Sequence, residues 1–356
     1  MNQQLYFHLF ANCVPVKGIK RSIICDLQQN SFEFIPNELF FILTKLSKKT
    51  IREIKTYFDN AFDEIIDEYF EFLIQKKMGR WITSLDKGFV NLKFRYDVPN
   101  AITNCIIDVD KTSNHPFPEI VSDLDELGCQ ALQFRFYDPI SPLQLDEYLT
   151  YFDDSKIRGI ETIMPFQKEF TEDRLCALIE KHPRLLYIVF NGALENKESF
   201  LNNEKVKINY TKKTITSSLC CGQISPLYFR VNIKAFSQAK NFNSCLYKKV
   251  AIDKNGEIGN CPSLQKKFGN IHDHSLIEAV TDPEFEKNGL LKKDDIAVCK
   301  SCEFRYICSD CRAYSEIPQD ILSKPLKCGY NPTTCEWEEW SKHPLKQQAL
   351  DYYKKQ

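Results

Sequence analysis

The sequence predicts an α/β protein in three parts. These are a winged-helix-like unit over residues 1–85, a partial β/α barrel over 90–215, and a cysteine-rich domain over 216–345, followed by a short tail at 346–356. Three observations carry this expectation. Apolar residues recur at helical spacing from Phe62 to Ile74. Short apolar runs alternate with helical stretches between Ile102 and Phe190, the rhythm of βαβ units and a parallel sheet. Eight of the 15 cysteines fall between Cys245 and Cys335.

In the first part, Leu5–Phe10 and Ser22–Leu27 read as short strands. Pro36 opens a helix with Leu39, Phe40, Ile42, Leu43 and Leu46 on one side. Thr50 caps a second helix, and Glu53 three residues on completes a capping box. The third helix carries Phe62, Ile65, Ile66, Tyr69, Phe70, Leu73 and Ile74 on one stripe; Gly79 ends it, and Arg80–Thr83 returns as a strand. Two strands, three helices and a strand make a winged-helix arrangement. Its third helix also carries Asp63, Glu64, Asp67, Glu68 and Glu71. Phosphates would repel that face, so it reads as a solvated surface and not as a nucleic-acid reader.

The middle part changes rhythm. Ile102–Val109, Ala131–Tyr137, Gly159–Met164 and Leu185–Phe190 read as strands, and Pro118–Leu127, Leu143–Phe152 and a helix capped by Thr171 lie between them. About four or five repeats fit, fewer than the eight of a closed barrel. In the last part, Tyr228–Ile233, Lys249–Asp253 and Glu257–Gly259 read as strands, the latter two joined by a tight Asn255-Gly256 turn. Trp337–Gln356 is polar and helical in pattern.

A net charge of −1 points to neither nucleic acid nor an anionic surface. No run of 18 apolar residues occurs, and Met1–Val16 lacks a basic segment ahead of its apolar residues, so neither a membrane span nor a signal peptide is expected and the expected compartment is the cytoplasm. In that reducing setting, clustered thiols read as metal ligands before disulfides. The centre is Cys299-x2-Cys302-x5-Cys308-x2-Cys311. Two Cys-x2-Cys pairs at this separation can serve one zinc or be shared between two sites. Seven cysteines from Cys245 to Cys328 approach the eight that two four-thiolate sites need. Cys13, Cys25, Cys129 and Cys176 sit in apolar segments and read as small buried residues. His272 and His274 read as surface residues, and His115 and His182 as loop residues before prolines. No catalytic set and no Gly-rich phosphate loop stands out.

The pattern Cys245…Gly256-x4-Cys261…Cys299-x2-Cys302-x5-Cys308-x2-Cys311…Cys328 resembles a SPASM domain, the C-terminal module of radical-SAM peptide-modifying enzymes, which holds two auxiliary [4Fe–4S] clusters. The usual form has three residues between the last two central cysteines; this chain has two, Ser309 and Asp310. Asn260-Cys261-Pro262-Ser263 and Lys324–Tyr330 resemble one subgroup, the peptide maturases of grasp-with-spasm systems, which are encoded beside an ATP-grasp ligase and a precursor peptide. The resemblance implies one cluster on Cys299, Cys302, Cys308 and Cys328, with Cys335 as an alternative to Cys328. It implies a second on Cys245, Cys261 and Cys311, completed by Cys220 or Cys221; Gly222 eases a tight approach by Cys221. It also implies that the first part recognises a leader peptide, by adding it as a strand to a sheet edge.

Two departures matter. The Cys-x3-Cys-x2-Cys loop that binds the radical-initiating cluster is missing; Asp97–Cys105, where it is expected, holds one cysteine. Some family members place a carboxylate base after the cysteine matching Cys261, and this chain has Pro262. The implied protein is a peptide maturase with a degenerate radical-SAM-like barrel, working with an ATP-grasp ligase. Its rivals are a redox-active peptide-modifying enzyme using an open auxiliary cluster and a zinc-binding peptide adaptor.

Overall fold

The structure is a computed structural model that describes residues 4–85 and 92–355. The start of the polar stretch at Met1–Gln3, residues 86–91 at the expected first junction, and Gln356 of the tail lie outside the described residues.

The N-terminal unit opens with β1 (Tyr6–Leu9), β2 (Cys13–Val16), β3 (Ser22–Asp26) and β4 (Ser31–Ile35). That is two strands more than the sequence pattern suggests. Pro15 masks β2, but β2 is an edge of the antiparallel β2–β3–β4 sheet, where a missing N–H is tolerated. The turn into β4 is local: the Asp26 carboxylate accepts from Gln28 N and Gln29 N at 3.0 Å, and Asn30 takes φ 54°. Next come α1 (Asn37–Lys45), α2 (Ile51–Tyr57) and α3 (Asp63–Gln75), then β5 (Gly79–Ile82), which pairs antiparallel with β1. Thr50 and Glu53 form the expected capping box. Helix α3 stops at Gln75, short of Gly79, which instead begins β5 with the Phe7 ring against its α-carbon. Of its expected stripe, Ile66, Phe70 and Leu73 enter the core, while Phe62, Ile65 and Ile74 stay exposed. The helix buries the arc that joins the core shared by α1, α2 and the β1–β5 ribbon, and Lys55 of α2 pairs with Asp67 at 2.8 Å.

The centre is a sheet of eight strands. In chain order these are β6 (Asn104–Val109), β7 (Ala131–Phe136), β8 (Gly159–Pro165), β9 (Leu185–Asn191), β10 (Lys197–Leu201), β11 (Val206–Thr211), β12 (Lys249–Ile252) and β13 (Ile258–Gly259). The spatial order is β10-β11-β9-β8-β7-β6-β12-β13. The run from β11 to β12 is parallel, and β10 and β13 are antiparallel edges. Helices α4 (Phe117–Glu126), α5 (Pro142–Thr150) and α6 (Glu172–Lys181) link the first four strands. They cover one face, where Ile107, Phe134, Ile160, Ile188 and Val250 meet. The other face, left clear by these helices, carries Asn104, Asp108, Gln133, Arg135 and Glu161.

Strands β12 and β13 come from the cysteine-rich stretch. Their turn is the expected one, with Gly256 at φ 85°. The strand expected at Tyr228–Ile233 is absent. A 3-10 turn, Pro226–Tyr228, runs into α7 (Ile233–Asn241), because the Asn232 side chain accepts from Ala235 N at 2.9 Å and starts a helix there. After α8 (Leu276–Thr281) come β14 (Tyr330–Asn331), β15 (Glu336–Trp337) and α9 (Pro344–Lys354). Among the described residues no helix is long and apolar enough to cross a membrane.

His182 is no loop residue. It is buried at the end of α6, with Nε2 2.8 Å from Asp146 Oδ1 and Nδ1 2.9 Å from Asp153 Oδ1, tying α5 and its C-terminal turn to α6. His182→Ala should therefore lower unfolding stability by about 2 kcal/mol, read from the denaturant midpoint.

Candidate metal centre

The chain presents its central thiols on tight turns. The amide of Cys302 donates to Cys299 O at 2.9 Å, and that of Cys308 to Phe304 O at 3.0 Å. Phe304 anchors the loop between them in an aromatic nest of Phe32, Phe34, Phe229 and Tyr330. The N-terminal unit clamps the same loop. Ile19 N donates to Ser301 O at 3.0 Å, Arg305 Nη1 to Lys17 O at 2.5 Å, and Arg21 Nε to the buried Glu303 carboxylate at 3.0 Å. Cys328 arrives alongside, through a bridge between Ile224 and Cys328, and Lys346 of α9 holds its carbonyl at 2.5 Å.

The thiols sort into two groups by which of them bear on each other. In one, burial pushes Cys308 up to about 12; Lys293 pulls it back, and Cys328 and Cys299 push it further. Burial likewise raises Cys302, with Cys308 and Cys299 adding to the effect. In the other, burial pushes Cys261 up to about 11, helped by Cys245 and Cys221. Cys311 is raised by burial and then by Cys245, Cys221 and Cys261. So adjacent turns of one loop face two different sets of neighbours.

The uncertain positions fall as follows. Cys221 bears on Cys261 and Cys311, while the Cys220 thiol sits 3.9 Å from Thr214 O. Gly222, at φ 81°, lies so close that a β-carbon there would stand 2.7 Å from Cys311 Sγ. Lys327 fastens this segment by donating to Leu219 O and, at 2.6 Å, to Cys221 O. Cys335 lies beside Tyr330 and Arg21 and packs against the apolar cluster that holds Cys308 and Cys328. Cys13, Cys25, Cys105 and Cys129 are buried and Cys176 half-buried; Cys25, on β3, packs in the same apolar cluster as Phe304, Cys308 and Cys328. His272 and His274 are exposed; His115 is buried, its Nε2 2.8 Å from Asp108 O.

Charged residues that sequence reasoning passed over sit against the thiols. Lys293 Nζ lies 3.5 Å from Cys308 Sγ, 4.0 Å from Cys299 Sγ and 3.9 Å from Asp310 Oδ1. Burial alone would lower its pKa; Cys299, Cys308 and Asp310 hold it well above the usual range. Asp310, fully buried in the Cys308-x2-Cys311 spacer, is shared. Arg312 Nε reaches it at 2.9 Å, and Asn243 Nδ2 at 3.0 Å. The Asn243 carbonyl oxygen in turn accepts from Cys245 N at 2.9 Å, so one carboxylate joins both thiol groups. Lys249 Nζ lies 3.8 Å from Cys245 Sγ. On the open sheet face, Arg135 grips Asp108 through two bonds at 2.6 and 2.8 Å, and Tyr137 OH donates to the same carboxylate at 2.7 Å. Arg135 bears on Cys221 and Cys261.

Two adjoining cavities of about 430 and 390 Å³ share Arg230, Gln238, Ser244, Cys245 and Lys249. The first reaches Cys308 and the second reaches Asn104 and Gln133 on the sheet. Another cavity, about 680 Å³, lies in the N-terminal unit along β1, β2 and the end of α1.

The donor set fits an iron–sulfur group: it is all thiol, half of it buried (Cys261, Cys299, Cys308 and Cys328), and lined by cations. Among the described residues no three Cys, His, Asp or Glu side chains converge closely enough to grip one ion.

Residues 244–303 match the family model of SPASM, an iron–sulfur cluster-binding domain. The match includes Cys245, Cys261, Cys299 and Cys302 and lends zinc no support. No curated protein matches the sequence. The chain is similar to the crystal structure of SuiB from Streptococcus suis bound to the precursor peptide SuiA, at 12% identity and a TM-score of 0.34, over 88% of this chain and 95% of that one.

Asp310→Ala would leave Lys293 and Arg312 buried with no carboxylate between them. The variant should lose about 3–5 kcal/mol of unfolding stability, read by calorimetry or denaturant titration.

Proposed function

We propose that this chain is a peptide-maturation protein that binds a precursor peptide and two [4Fe–4S] clusters, on Cys299, Cys302, Cys308 and Cys328 and on Cys221, Cys245, Cys261 and Cys311. It acts beside an ATP-grasp ligase, as in grasp-with-spasm systems, and has no radical-initiating cluster of its own. The match of residues 244–303 to an iron–sulfur domain supports the cofactor. The observation that carries it furthest is the charge balance at Lys293. Two buried cations, Lys293 and Arg312, share one carboxylate, Asp310. Neutral thiols beside Lys293 would leave one of these two buried positive charges without an anion. Metal-bound thiolates are ionised outright and supply the missing anion.

In this reading each residue has a physical task. A bound cluster supplies one-electron capacity. Lys327 and Gly222 hold the Cys221 segment against Cys311, and Asn243 shapes the Cys245 turn. The cavity along β1 and β2 offers apolar cover for a leader peptide beside a sheet edge. The winged-helix reading of that unit belongs to the same proposal. The open sheet face and its adjoining cavities then receive the rest of the peptide.

A second reading has one observation in its favour. Cys221 is exposed and Cys245 borders both adjoining cavities, so the group they hold would face bound substrate. A redox-active peptide-modifying enzyme would use that face.

Anaerobically purified protein should carry about eight iron and eight sulfide per chain. Zinc without sulfide would sink the proposal. Cys311→Ser should retain about half of each, because only the group with Cys245 and Cys261 is lost; loss of both groups together would exclude the shared loop. Reduced protein should not cleave S-adenosylmethionine, a point that product chromatography reads directly.

A further inference from the structure

We infer that Lys293 sets the reduction potential of the cluster at Cys299, Cys302, Cys308 and Cys328, making it the easier of the two to reduce; this rests on the iron–sulfur reading above. The ammonium sits at 3.5 and 4.0 Å from two of that group's sulfurs, with 4% of its side chain exposed. Its place is fixed from both sides. Asp295 caps the turn by accepting from Lys292 N at 3.0 Å. Asp294 accepts from Arg305 Nε at 3.1 Å and from Tyr306 OH at 3.0 Å, both within the Cys302–Cys308 loop. Lys293 therefore moves with the sulfurs it faces.

A one-electron reduction adds negative charge to the cluster. A fixed cation beside its sulfurs, with N–H donors aimed at them, stabilises the reduced form and raises the potential. Asp310 does not cancel this effect, because Arg312 and Asn243 already hold it. The other group has only a partial counterpart. Lys249 Nζ lies 3.8 Å from Cys245 Sγ, but its side chain borders both adjoining cavities, where water screens it. The site beside the buried Lys293 ammonium thus accepts an electron before the other does.

The test is an anaerobic titration with a low-potential one-electron chemical reductant. It follows the paramagnetic signals of the reduced clusters, with iron and sulfide counted in every sample. Native protein should show two transitions. Lys293→Met should move the more positive one to lower potential and leave the other in place, while Lys293→Arg should keep the native value. Loss of iron in Lys293→Met but not in Lys293→Arg would also support the inference, since charge is then what the site requires. Two results would overturn it: a fully loaded Met variant with both midpoints unchanged, or equal loss of iron in the Met and Arg variants. Native protein without sulfide would instead end the cluster reading, and this inference with it.

Discussion

The cysteine-rich end of this chain depends on one buried carboxylate. Asp310 answers Arg312, faces Lys293, and through Asn243 shapes the turn that presents Cys245. A charge placed so far from water persists only where its partners are fixed. The partners here come from three separate stretches of chain, around Asn243, Lys293 and Arg312. Their mutual satisfaction ties the two thiol groups to one buried charge network.

The N-terminal unit is built into the same frame. Its β2–β3 loop donates to the backbone carbonyl of Ser301 and accepts from the Arg305 side chain, and Arg21 stacks on Phe34 at 3.7 Å while pairing with Glu303. Phe32 and Phe34 on the edge strand β4 pack directly on Phe304. The N-terminal unit and the Cys299–Cys308 loop therefore form one continuous packed surface.

Much of this was legible in the sequence because it depends on local rules. The parallel strands read correctly since each is a short apolar run between turn residues, and the Thr50–Glu53 box since capping is a local bond. The thiol turns read from spacing alone. Lys293 did not: in Lys292-Lys293-Asp294-Asp295 it has the look of a solvated loop, and only the fold reveals that one lysine of the pair points inward. Asp310 passed as a spacer for the same reason. At Tyr228–Ile233 the apolar pattern suggested a strand, and a single capping asparagine decided otherwise. The extra strands β2 and β4 were hidden by a proline and by a turn set by one aspartate.

The pairing of β12 with β6 bears on how the molecule is made. Lys249 sits opposite Asn104 and Ile252 opposite Ile107, a ladder between segments some 145 residues apart in the chain. During synthesis β6 emerges long before its neighbour, so one side of a buried strand waits without a partner. Contacts this distant in sequence form slowly, and an unpaired apolar edge invites pairing with other chains. The central sheet cannot be finished until the turn after Cys245 is in place. Completion of the scaffold and assembly of the thiol site are therefore late events in the same step of folding, and a chain stalled before residue 250 would be exposed to aggregation.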